Sequence, residues 1–88
     1  KIFADIRAEQ VVTRTRLAAI RAPTLILWGD TDRVIHPSAG RVFQNSIRNS
    51  ELILIKDCGH APMIEQPEVT ARHFRRFLAV RWKKKVDL

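Results

Sequence analysis

Two apolar runs, Thr24-Leu25-Ile26-Leu27-Trp28 and Leu52-Ile53-Leu54-Ile55, are unbroken rather than alternating. A strand with one wet face alternates. A strand that is apolar on both faces needs cover on both, as in parallel sheets flanked by helices. Gly29-Asp30 ends the first run and Asp57-Cys58-Gly59 follows the second. Between them Pro37 pre-sets the first turn of a helix whose expected buried side is Val42, Phe43 and Ile47, and Arg48-Asn49-Ser50 closes it. A strand, a helix and a strand in about 30 residues form a βαβ unit with parallel strands and a right-handed crossover. The expected fold class is therefore α/β.

Helices are expected on either side of this unit. Ile2 to Ile20 lacks Gly and Pro and places Ile6, Val12, Leu17 and Ile20 at loosely helical spacing, until Ala22-Pro23 stops it. From Pro67, Ala71, Phe74, Phe77 and Leu78 fall on one side of a last helix, opposite Glu68, Arg72, Arg75 and Arg76. Two parallel strands alone are marginal in water, and 88 residues supply only part of the cover they need. The expectation is the C-terminal βαβα portion of a larger doubly wound, mostly parallel sheet, incomplete on its own. Residues 1–22 would be a helix entering the sheet, 23–82 its last two strands and helices, and 83–88 a basic tail.

Length and charge narrow the function classes. A chain of this size has room for one small domain and buries about 64% of its unfolded surface. Its single cysteine, Cys58, excludes an internal disulfide framework and a cysteine-based zinc site. The net charge of +7 divides into +3 over residues 1–22, −2 over 23–68 and +6 over 69–88. Arg81, Lys83, Lys84 and Lys85 surround Trp82, a cluster suited to weak contact with an anionic membrane surface. A basic module for membrane or nucleic acid is the competing class. Six aromatics and no tyrosine make a poor stacking surface, so no nucleic-acid partner is expected.

In parallel sheets the loops after the strands emerge on one edge, where ligands and reactive groups gather. The loops here are Trp28-Gly29-Asp30-Thr31-Asp32-Arg33-Val34-Ile35 and Asp57-Cys58-Gly59-His60-Ala61-Pro62. On adjacent strands about 4.8 Å apart, Asp32 and His60 would meet. A carboxylate that accepts a proton from one ring nitrogen fixes the tautomer and frees the other nitrogen to act as a base. Asp30 reads as a turn residue and Asp57 as a substitute partner for His60. His36 and His73 read as surface residues, and Asp30, Asp32 and His36 lack the pattern of a calcium loop. Cys58 and Trp28 read as core, and Met63 and Ile64 as packing residues that would otherwise line an acyl pocket.

The stretch Pro23 to Ile35, followed by Asp57-Cys58-Gly59-His60-Ala61-Pro62-Met63-Ile64-Glu65-Gln66-Pro67, resembles the C-terminal part of an α/β-hydrolase, and its wording is most similar to the monoacylglycerol lipase subgroup of abhydrolase-domain esterases. The resemblance covers about residues 17–80. It implies that Asp32 is the catalytic acid and His60 the base of a Ser-Asp-His triad, that residues 1–22 return from the cap, that the substrate is a small ester or lipid, and that no cofactor or metal takes part. Epoxide, haloalkane and carbon-carbon bond hydrolases share these placements and differ in the nucleophile.

That family holds its serine in a Gly-x-Ser-x-Gly elbow. Gly29, Gly40 and Gly59 are the only glycines here and no pair has that spacing; Ser38, Ser46 and Ser50 lie in or beside the second helix. The expected chain is thus the acid-and-base part of an enzyme whose serine lies outside it. It is inactive alone and partnered by the remainder of the hydrolase domain. A hydrolase-like protein that has lost its serine is the third reading.

Overall fold

The computed structural model describes residues 14–82. Most of the expected first helix, residues 1–13, and the lysine-rich tail, 83–88, lie outside the described residues; residues 14–18 are helical. The elements that follow are β1 (Thr24–Gly29), α1 (Ser38–Ser46), β2 (Ser50–Ile55), α2 (Pro62–Glu65), α3 (Pro67–Phe77) and a π-helical turn over Leu78–Trp82. β1 and β2 pair in parallel from Thr24 opposite Ser50 to Gly29 opposite Ile55. The two apolar runs thus lie side by side and end together.

The core around this pair is small. Among the described residues Ile47, Ile55, Cys58 and Phe77 are its buried hydrophobic side chains, and each full burial of an Ile or Phe is worth roughly 1.5–3 kcal/mol. The sheet is that of an incomplete α/β fold, and the exposure pattern follows from it. Trp28 is half-buried, stacked obliquely on Phe43 with ring centroids 5.9 Å apart, and its indole N–H donates to the Ile35 carbonyl at 3.2 Å. Val42 is exposed on α1, where a buried residue was expected, while Phe43 is half-buried and Ile47 buried.

Two further expectations are corrected. Phe74 and Leu78 do not share the burial of Phe77: they are 51% and 37% exposed, so only part of the apolar side of α3 is covered. Met63 and Ile64 do not pack either, at 64% and 78% exposure. They fall in α2, a single turn between Pro62 and Pro67 that was not expected, since four residues show no period. Polar anchoring at the opposite end comes from Glu51 on β2, which pairs with Arg76 of α3 and has Arg81 alongside at 3.5 Å.

Candidate active site

Because β1 and β2 end in register, the chain leaves both strands at the same edge, and the two exits are stitched together. Asp30 N–H donates to Ile55 O at 2.9 Å, and the backbone N–H and hydroxyl of Thr31 both donate to Cys58 O, at 2.9 and 2.8 Å. Asp30 Oδ1 accepts a long bond from Cys58 N–H at 3.5 Å, in keeping with its turn role. The crossing is tight at Gly29, where a Cβ would stand 2.1 Å from Gly59 O and 2.3 Å from Cys58 O. Glycine is required there by contact, not by dihedral, since no glycine has a positive φ.

Asp32 is held on both oxygens. Oδ1 accepts from the N–H groups of Val34 at 2.8 Å and Ile35 at 3.0 Å, a turn closed by its own side chain. Oδ2 lies 3.0 Å from Nδ1 of His60. The carboxylate is buried, with 4% side-chain exposure, whereas the imidazole is 51% exposed. Burial raises the Asp32 pKa, but the Ile35 N–H, the His60 bond, the Val34 N–H and the charge of a protonated His60 together outweigh it and hold it below its ordinary 3.8. A lowered pKa means stability that is present above 3.8 and is lost as pH falls through the depressed value. Unfolding followed from pH 5 to pH 2 is therefore expected to show a smaller acid loss in Asp32→Asn than in the wild type; equal acid limbs would contradict the assignment.

The expected pair is brought together, and Asp32, not Asp57, is the carboxylate on the imidazole. Asp57 instead makes the turn after β2, with φ of 54°, a left-handed conformation that Asp tolerates, and stays exposed. His36 is exposed and bonds the Ser38 hydroxyl, while His73 is half-buried on α3. Cys58 is fully buried. Burial pushes its thiol pKa up, with the Glu65, Asp30 and Asp32 carboxylates adding to the effect, the reverse of what a thiolate nucleophile needs.

Two residues escaped the sequence reading. One is Gly29, whose place at a strand end was a signal for close backbone approach. The other is Glu65, whose Oε1 accepts from Gly59 N–H at 2.8 Å and whose Oε2 accepts from Ala61 N–H at 3.2 Å.

Residues 6–67 match the model of the α/β hydrolase fold family. The chain belongs to that family. Its relatives include proteins named as lipases: it is 32% identical over 81 residues to lipase 1 of Psychrobacter immobilis, covering 91% of this chain and 26% of that protein. It is 38% identical over 81 residues to monoacylglycerol lipase ABHD6 of Mus musculus, covering 90% and 24%. A crystal structure of a membrane phospholipase A, a bacterial virulence factor, superposes with a TM-score of 0.72 and 42% identity, over 75% of this chain and 21% of the other. The α/β-hydrolase chain described here thus spans about a quarter of the length of the curated relatives it matches.

Proposed function

We propose that this chain is the C-terminal part of a serine hydrolase acting on carboxylic esters of lipid character, and that it supplies the Asp32 and His60 of a Ser-Asp-His triad. In this reading residues 1–22 return from the cap, 23–82 carry the last two strands and helices of the hydrolase domain, and the serine belongs to the remainder of the protein. One observation carries the proposal, the 3.0 Å bond between a buried, backbone-anchored carboxylate and a half-exposed imidazole. The lipases and monoacylglycerol lipases among its relatives support an ester substrate.

The chemistry follows from that bond. With Nδ1–H donated to Asp32, Nε2 carries the lone pair. It takes the proton of the serine hydroxyl as Oγ attacks the ester carbonyl, then returns it to the departing alcohol. A water deprotonated by the same nitrogen releases the acid from the acyl-enzyme. Asp32, kept ionised by its two backbone bonds, stabilises the imidazolium at each stage.

The test uses the complete protein with p-nitrophenyl esters and a monoacylglycerol. Turnover is expected, together with its loss on stoichiometric labelling by a serine-directed phosphonate. Phosphonate-resistant turnover of an epoxide or haloalkane, without ester hydrolysis, would instead assign an aspartate nucleophile and overturn the ester reading.

A further inference from the structure

We propose that Glu65 positions the base: its carboxylate binds the backbone N–H groups on both sides of His60 and so sets where the imidazole stands. The inference rests on the assignment of His60 as the base of the triad. Asp32 fixes the tip of that side chain, through Nδ1. A tip anchor alone leaves the ring free to pivot with its backbone, so the position of Nε2 also depends on what holds residues 59–61.

Glu65 provides that hold. Oε1 takes the Gly59 N–H at 2.8 Å and Oε2 takes the Ala61 N–H at 3.2 Å, one oxygen to each neighbour of His60. Its reach is set by α2. Pro62 starts the turn and Glu65 N–H closes it on Ala61 O at 2.9 Å, which folds the side chain back over the loop it follows. Gly59 gives the carboxylate room, since a Cβ there would lie 2.9 Å from Oε2.

A helix cap explains only half of this arrangement. Ala61 is the N-cap of α2, so its N–H belongs to the helix end, and a Glu reaching back to it resembles a capping box. Gly59 lies two residues before the cap. Its bond contributes nothing to the helix and fixes only the approach to His60. Bonds to an ionised acceptor are roughly twice as strong as neutral ones, so a single carboxylate clamps the turn firmly.

The experiment measures kcat, KM and melting temperature in the complete protein for Glu65→Ala, Glu65→Gln and, as reference, His60→Ala. Misplacing a reacting group by about 1 Å costs on the order of 10²-fold. Glu65→Ala is accordingly expected to lower kcat by about 10- to 100-fold with KM unchanged. Glu65→Gln keeps one acceptor oxygen and is expected at an intermediate kcat with the wild-type melting temperature. If Glu65→Ala fails to fold, Glu65→Gln alone decides: reduced kcat at unchanged KM and melting temperature supports the clamp. Wild-type kcat in either variant, or a loss that vanishes when the rate is expressed per folded molecule, overturns it and leaves Glu65 a plain helix cap. Wild-type kcat in His60→Ala would remove the triad reading itself, whereas an inactive His60→Ala beside a fully active Glu65→Ala removes only the clamp.

Discussion

His60→Ala in the complete protein is expected to lower kcat for ester hydrolysis by about 10⁴-fold, the scale set by loss of a member of such a triad. The melting temperature is expected to change little, because the imidazole is half exposed and contributes little to the small core. Asp32→Asn is expected to come close to the same loss by another route. The asparagine oxygen still accepts from Val34 and Ile35, so the loop keeps its shape. Its amide nitrogen then faces Nδ1 and donates to it, which moves the imidazole proton to Nε2, where a base needs its lone pair. Steady-state kinetics on the two variants and the double mutant check this. The double mutant is expected to be no worse than His60→Ala, and an active Asp32→Asn would show that the bond serves only to hold the loops.

Gly29→Ala is expected to be the most destabilising of the three Gly→Ala substitutions. The added carbon would stand 2.1 Å from one carbonyl oxygen and 2.3 Å from another, and both belong to backbone, which cannot rotate away as a side chain can. Relief requires the loop after β2 to lift off the end of β1. The bonds of Asp30 and Thr31 to Ile55 and Cys58 would then be lost, and His60 would move relative to Asp32. Overpacking of this kind costs about 3 kcal/mol. Urea denaturation is expected to show that loss and, in whatever fraction stays folded, an activity loss beyond what stability explains. A Gly29→Ala protein with wild-type melting and wild-type kcat would mean that the two loops do not need to touch.

The sheet and the contact between Asp32 and His60 were legible because each left a mark on its own short stretch of chain. Unbroken apolar runs at Thr24–Trp28 and Leu52–Ile55, each bounded by turn residues, read as strands of a parallel sheet, and parallel strands deliver the loops after them to one edge; their cover is only partial, with Leu54 43% exposed. Asp32 and His60 followed from that geometry. Less visible were groups whose role lies in the path of another segment's backbone. Glu65 reads as a charge on a surface turn until the loop of residues 59–61 folds beneath it, and Gly29 reads as an ordinary turn glycine until Gly59 crosses it. Phe74 failed in the other direction: amphipathic spacing shows which side of α3 is apolar, but burial also needs something to lie against that side.

The carboxylate and the imidazole sit 28 residues apart on a single strand-helix-strand unit, and the contacts nearest to them, from the Gly29 crossing to the Glu65 bonds, lie within residues 29–65. In the proposed triad, acid and base therefore come from one cassette of consecutive elements. On that proposal the unit could be inherited whole beside a different elbow residue, leaving the Asp32–His60 contact as it stands.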